Sequence, residues 1–144
     1  MDGISRGPKL VNYAGHGSVG LWRGNLLLYT DAAQMRNGAD LPFVITMTCL
    51  NGQYNTPYDD SLAEALLKAQ NGGAIAVWAS SSLTMATSQP EMDQELIRQL
   101  FTGFSATGNH LTFGEAVRRA KLMTSDSDIR RSWILFGDPA TKLR

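Results

Sequence analysis

Two side chains in this sequence, an imidazole and a thiol, have the types and the placement of a catalytic pair. His16 stands between two glycines directly after a short apolar run, and Cys49, the only cysteine, directly follows the apolar run 43–48. Flanking glycines free the backbone and leave the ring uncrowded. A neighbouring imidazole raises the thiolate fraction of a cysteine, and the thiolate is the nucleophile. We therefore interpret Cys49 as a nucleophile and His16 as its base.

This interpretation requires that the two apolar runs form neighbouring parallel strands. The carboxyl ends of parallel strands meet at one edge of the sheet, where open α/β sheets bind their ligands. The backbone N–H groups of Gly17 and Cys49 would then converge on one oxygen and form an oxyanion hole. Taken singly, a histidine is more often structural and a lone cysteine is usually a small buried hydrophobe. Only the pairing of His16 and Cys49 at two strand ends favours catalysis.

Strands and helices are predicted to alternate along the rest of the chain. Apolar runs predict strands at 10–14, 43–48, 74–79 and 133–136. Capping residues and helical periodicity predict helices that begin near Thr30, Ser61, Pro90 and Thr112, while 80–89 and 125–128 are predicted loops. This alternation predicts an α/β fold, a mainly parallel sheet of about four strands with helices on both faces. Residues 1–8 are expected to be a flexible lead-in to one domain, 9–144.

The composition and charge of the chain indicate which kinds of binding partner to expect. The chain has 144 residues, 43% of them hydrophobic, and its 13 basic and 13 acidic residues give no net charge. A balanced charge gives no reason to expect a nucleic acid or an anionic membrane as partner. No apolar run approaches the length needed to span a bilayer. We expect a polypeptide substrate and no membrane segment.

The glycines at positions 15–20 raise the alternative of a nucleotide-dependent enzyme. Residues 15–20 match G-x-G-x-x-G, the dinucleotide-binding motif, which needs a helix starting at the glycines. The residues that follow, L-W-R-G-N, show no helical periodicity. The same missing helix argues against a serine-hydrolase turn at Ser18. NAD or FAD binding would reveal such an enzyme.

Metal and cofactor sites are not expected. No group of histidines, cysteines and carboxylates has the spacing of a zinc site. Asp126 and Asp128 are interpreted as part of a solvated loop rather than as calcium ligands. His110 precedes a predicted helix and is interpreted as an exposed loop residue.

Several segments together resemble the gingipain-type cysteine peptidases. These are N-Y-A-G-H-G-S, L-P-F-V-I-T-M-T-C-L-N-G-Q-Y, S-L-A-E-A-L-L, G-G-A-I-A-V-W-A-S-S and W-x-L-F-G-D-P, which lie between Lys9 and Leu143. The resemblance implies a caspase-like fold, with His16 as the catalytic histidine and Cys49 as the nucleophile. It also implies that Gly17 and Cys49 supply the oxyanion-hole amides. The loop after the third strand would wall the pocket for the residue before the scissile bond (P1), with Ser80, Ser81, Ser82 and Thr84 as candidates.

Two departures from this family affect what the resemblance implies. The family carries further sheet and an acidic residue that orients the imidazole upstream of the histidine, whereas only eight residues precede Lys9 and Asp2 is the only acid among them. We therefore expect the carboxyl-terminal part of a catalytic domain, with the amino-terminal part or a second copy as partner. The aromatic residue that some members place over the P1 pocket is missing, so arginine or lysine specificity is not carried over. The family implies a secreted or cell-surface location.

The resulting hypothesis is a cysteine endopeptidase with a Cys49–His16 dyad, weak or inactive as the 144 residues alone. The alternative is a catalytically inactive relative or fragment that binds protein segments in the former substrate cleft. Reactivity of Cys49 separates the two.

Overall fold

The computed structural model describes residues 2–143, without the side chains of Asp2 and Ser5. The strands are β1 (Leu10–Ala14), β2 (Gly17–Ser18), β3 (Leu21–Trp22), β4 (Phe43–Met47), β5 (Ala76–Ser80) and β6 (Trp133–Gly137). The α-helices are α1 (Asp2–Ser5), α2 (Tyr29–Ala33), α3 (Leu62–Lys68), α4 (Gln89–Thr102), α5 (Phe113–Lys121) and α6 (Ser127–Ser132). No helix within residues 2–143 is long and apolar enough to cross a membrane.

The main sheet has four strands in the order β1-β4-β5-β6. β1 pairs with β4 and β4 with β5, both in parallel, while β6 pairs antiparallel with β5. The sheet is therefore mixed and mostly parallel, which confirms the predicted fold class. The reversed last strand follows from α6, which ends at Ser132 and leads directly into β6 without a crossover back to the opposite edge.

Helices cover both faces of this sheet, as the sequence predicts. Along β4, Phe43, Ile45 and Met47 pack with α4, α5 and α6 on one face, whereas Val44 packs with α2 and α3 on the other. All five residues of β4 are buried, as expected of a central strand covered on both sides. The two cores fix β4 firmly, so the residue after its end has a defined position.

Both predicted capping boxes are present. The Ser61 hydroxyl accepts from the Glu64 N–H at the start of α3, and the Thr112 hydroxyl accepts from the Glu115 N–H at the start of α5. In each case the glutamate accepts in return from the backbone N–H of the capping residue, which satisfies two donors that a helix start leaves unpaired.

Three segments differ from the sequence expectations. The glycines after β1 lead into an antiparallel hairpin of β2 and β3, where the sequence suggested irregular chain. Residues 125–128, expected to be loop, contain the start of α6, because the Asp126 carboxylate accepts from the N–H groups of Asp128 and Ile129. Within the expected lead-in 1–8 lies the single turn α1, whose Ile4 packs on the α3 side of the sheet.

Candidate active site

His16 and Cys49 each follow one of two neighbouring strands. β1 and β4 run in parallel with Ala14 opposite Met47, and the Gly15 N–H donates to the Met47 carbonyl at 3.1 Å. Each of the two residues lies two positions after the end of its strand. The predicted adjacency of the strands is confirmed, and both side chains lie at the carboxyl edge of the sheet.

One pocket of about 410 Å³ contains both residues in its wall. The wall consists of the β1 end, the Cys49 segment, the loop after β5 and the first turns of α4. Its residues are Ala14, Gly15, His16, Met47, Cys49, Thr84, Met85, Ala86, Gln89, Pro90, Asp93 and Gln94. The pocket thus combines a thiol, an imidazole and a carboxylate.

The thiol of Cys49 is free and half-buried. Its Sγ lies 3.6 Å from the Thr84 carbonyl oxygen and 3.9 Å from the Thr84 hydroxyl. Leu50 has the left-handed backbone angle φ 64°, an uncommon conformation for a residue with a side chain, and its N–H donates to the Ser82 carbonyl. In the part of the chain that the structure describes, the Cys49 N–H donates to no acceptor.

His16 is exposed, but its backbone is held firmly. Its carbonyl oxygen accepts from the Tyr13 hydroxyl and from the Arg23 N–H, both at 2.8 Å. A Cβ at Gly15 would lie 2.7 Å from the Tyr13 hydroxyl, so only glycine leaves room for this contact. Tyr13 also stacks on Trp22, with ring centroids 4.2 Å apart. The backbone of the loop that carries the imidazole is therefore held by Tyr13 and Arg23, neither of which lines the pocket.

We expect Gly17→Ala to destabilise the protein by about 1–3 kcal/mol, the usual cost of overpacking. A Cβ there would lie 2.6 Å from the Thr48 hydroxyl oxygen and 2.7 Å from the Leu21 carbonyl oxygen, so the hairpin must move away from β4. Thermal unfolding measures the change. Gly3→Ala is the matched control, because a Cβ at Gly3 meets nothing within 4 Å. Equal melting temperatures for Gly17→Ala and the wild type would contradict this packing.

Asp93 is a pocket residue that sequence reasoning missed. Its two carboxylate oxygens accept from the Asn12 side-chain amide at 3.0 and 2.9 Å. Burial raises the pKa of Asp93 above the ordinary value, although the hydrogen bonds from Asn12 act in the opposite direction. Among residues 2–143, no basic side chain forms an ion pair with it. The only indication of this role in the sequence is that Asp93 is an acidic residue directly after Met92, at the edge of the apolar stripe of α4.

The four predicted wall residues divide into two groups. Thr84 lines the pocket, whereas Ser80, Ser81 and Ser82 do not. Ser80 still belongs to β5 and is buried, with its hydroxyl donating to the Ser82 carbonyl, while the Ser81 hydroxyl donates to the Ser132 carbonyl. The strand ends at Ser80, one residue later than expected, and the loop contributes Met85 and Ala86 to the pocket wall beside Thr84.

Gln89 is a second residue that the sequence did not indicate. It is buried at the start of α4, and its side-chain amide donates to the Thr84 hydroxyl at 3.1 Å. This contact ties the pocket loop to the helix.

Comparison with known proteins gives a consistent result. The family model of peptidase family C25 matches residues 1–144. Gingipain R2 of Porphyromonas gingivalis (strain ATCC BAA-308 / W83) is 28% identical over 156 residues, covering 100% of this chain and 21% of its own length. Gingipain R1 of Porphyromonas gingivalis is 27% identical over 154 residues, covering 100% of this chain and 15% of its own length.

Two solved structures have a similar fold. The crystal structure of the Arg specific cysteine proteinase gingipain R has a TM-score of 0.81 and 28% identity, covering 100% of this chain and 35% of that one. The complex of Porphyromonas gingivalis RgpB pro- and mature domains has a TM-score of 0.89 and 28% identity. This match covers 99% of the present chain and 36% of that one. The chain spans about a fifth of the first relative's length. With a family match over its whole length and a caspase-like fold, the chain belongs to peptidase family C25.

Proposed function

We propose that this chain carries the nucleophile and the base of a cysteine endopeptidase. The observation that supports this most directly is the presence of Cys49 and His16 in the wall of one pocket at the carboxyl edge of the sheet. In the proposed reaction His16 takes the thiol proton and the thiolate attacks the peptide carbonyl carbon. His16 then returns the proton to the leaving amine, and water hydrolyses the resulting thioester.

The developing oxyanion needs hydrogen-bond donors that are already in place. The free Cys49 N–H supports a role for this amide, and we propose the Gly17 N–H as the second donor. Backbone donors that are fixed before the reaction favour the tetrahedral intermediate without reorganisation.

The competing function is that of a protein-binding module without catalysis. Alkylation of Cys49 by iodoacetamide at about pH 6 separates the two, because an ordinary thiol, with a pKa of about 8.5, is largely protonated there. A rate above that of a small free thiol supports the peptidase. A rate equal to or below it favours the binding module.

We also propose that the pocket accepts a basic P1 side chain. Asp93 brings a half-buried carboxylate without an ion-pair partner to the wall that holds His16 and Cys49, and such a carboxylate favours a cationic ligand. The crystal structure of gingipain R, an Arg specific cysteine proteinase, matches 100% of this chain, which covers 35% of that structure.

Asp93→Asn is expected to remove the preference for arginine or lysine at P1, lowering kcat/KM for basic peptides by about 10- to 100-fold. The amide keeps the shape but not the charge, so peptides with a neutral P1 residue should be affected little. Melting temperature serves as the control and should not fall, because an amide is less costly to desolvate than a carboxylate. An unchanged ratio of basic to neutral substrates would overturn the role of Asp93.

The raised pKa of Asp93 gives this preference a pH dependence. A carboxyl with a raised pKa loses its negative charge at a higher pH than an ordinary aspartate. The preference for a basic P1 residue should therefore weaken as the pH falls toward that pKa, and earlier than for an exposed carboxylate.

The partners of the chain are also matters of proposal. β1 is an edge strand of the sheet within residues 2–143, and we propose that the amino-terminal part of a catalytic domain, or a second copy, pairs there. The similarity to a complex of pro- and mature domains supports a protein partner. By family resemblance we propose a secreted or cell-surface location.

A further inference from the structure

Asn51 occupies the centre of a buried polar cluster behind the pocket. The residue is fully buried and lies two positions after Cys49. Its side-chain oxygen accepts from the Trp22 indole N–H at 3.0 Å and from the Thr46 hydroxyl at 3.1 Å. Its side-chain nitrogen donates to the carbonyl oxygens of Ser18 and Leu21. All four hydrogen-bonding positions of the amide are therefore used.

This arrangement accepts a carboxamide and no isostere of it. The Trp22 indole N–H can only donate and a backbone carbonyl can only accept, so the orientation of the Asn51 amide is fixed by its partners. An aspartate would present oxygen atoms to two carbonyl oxygens, and an apolar side chain would leave every partner unsatisfied. Buried polar groups without partners are strongly destabilising, which explains why this position needs asparagine.

The partners of Asn51 belong to the two segments that carry the proposed dyad. Ser18, Leu21 and Trp22 belong to the β2–β3 hairpin, which begins directly after His16. The Arg23 N–H, just after this hairpin, donates to the His16 carbonyl oxygen. Thr46 lies on β4, the strand that leads to Cys49. The Asn51 carbonyl also accepts from the Ala63 N–H of α3 at 2.9 Å, which anchors the residue itself.

We propose that Asn51 is a positioning residue that holds the His16 imidazole in place relative to the Cys49 thiol. The inference rests on the proposed function. The Asn51 side chain connects the β2–β3 hairpin, which follows His16, to the segment that follows Cys49. Any shift of the hairpin relative to that segment therefore requires breaking buried hydrogen bonds of Asn51. A displacement of about 1 Å between reacting groups can lower a catalytic rate by about 100-fold.

The test compares variants in the full chain by two alkylation rates of Cys49. At about pH 10 an ordinary thiol, with a pKa of about 8.5, is almost entirely thiolate, so the iodoacetamide rate reports mainly access to the sulfur. At about pH 6 the rate also depends on a correctly placed imidazole. The ratio of the two rates therefore isolates the effect of His16, and a role that is only structural would not change it in a folded variant.

We expect Asn51→Asp to lower this ratio by about tenfold, within the range that misplaced catalytic groups cause. Trp22→Phe removes one hydrogen bond from the hairpin to Asn51 and keeps a ring against Tyr13, so the ratio should fall in the same direction by a smaller factor. Thr46→Val is the matched control. It removes the other hydrogen bond to the same oxygen without touching the hairpin, and should keep the wild-type ratio.

Circular dichroism and thermal unfolding establish which variants fold. If Asn51→Asp does not fold, the comparison of Trp22→Phe with Thr46→Val decides. A wild-type ratio in folded Asn51→Asp, or equal losses in Trp22→Phe and Thr46→Val, would overturn the positioning role. If His16→Ala itself leaves the ratio unchanged, the proposed dyad fails and this role with it, whereas dependence on His16 without dependence on Asn51 overturns only the inference.

Discussion

Cys49→Ala is expected to abolish the hydrolysis of a fluorogenic peptide library by this chain, so that no turnover above the uncatalysed background is measured. The reason is chemical, because the thiolate forms the covalent intermediate and alanine offers no nucleophile. Cys49 is the only cysteine in the sequence, so no second thiol can take over. The substitution removes one half-buried sulfur atom, and the melting temperature should change little.

Wild-type turnover by these 144 residues is itself expected to be low. Among the side chains that the structure describes, no carboxylate forms an ion pair with the His16 ring, and an imidazole without an orienting carboxylate can rotate or take the wrong tautomer. Loss of the orienting carboxylate costs about four orders of magnitude in serine proteases, and less is expected for a more acidic thiol. The assay therefore needs a high protein concentration and long incubation. Turnover that persists unchanged in Cys49→Ala would refute the assignment of the nucleophile.

His16→Ala is expected to lower peptide turnover by about two to four orders of magnitude, the range that general acid–base catalysis contributes. It should also remove any excess reactivity of Cys49 toward iodoacetamide at about pH 6, because the thiolate then lacks its imidazole partner. Alkylation at about pH 10 should be unaffected, since thiolate forms there without assistance.

His110→Ala provides the matched control for this experiment. His110 is the second of the two histidines, is exposed, and lies against the Phe104 ring with centroids 4.9 Å apart. It does not line the pocket, so its removal should change neither turnover nor the alkylation profile. Equal effects of the two substitutions would show that the imidazole at position 16 has no specific role.

Local sequence patterns determined the elements that carry His16 and Cys49. The apolar run 43–48 is long and uninterrupted enough to identify a buried strand, and the glycines around His16 mark where the preceding strand ends. Because parallel strands end at the same edge, these two patterns predicted that His16 and Cys49 follow neighbouring strand ends, and the parallel pairing of β1 with β4 confirms that the strands are adjacent. The capping boxes at Ser61 and Thr112 are equally local and are present.

The direction of β6 and the helix before it depended on information that is not local. The segment of α6 reads S-D-I-R-R-S and contains a single apolar residue, Ile129, which gives no helical stripe. Its helical form depends on the Asp126 cap and on burial of Ile129 against the sheet. Packing against the rest of the fold therefore decided this element.

Only the tertiary structure determined the groups that surround His16 and Cys49. Asn12 and Asp93 are 81 positions apart and Trp22 and Asn51 are 29 apart, and neither pair leaves a periodic signal in the sequence. The same holds for Ser80 and Ser81, whose hydroxyls donate to the carbonyl oxygens of Ser82 and Ser132 inside the fold and do not face the pocket. Strand ends follow from local polarity and backbone preference, but the partner of a polar side chain depends on which distant elements the two cores bring together. The sequence alone thus predicted the pair His16 and Cys49, and the packing of α4 and the β2–β3 hairpin against the sheet added Asp93 and Asn51.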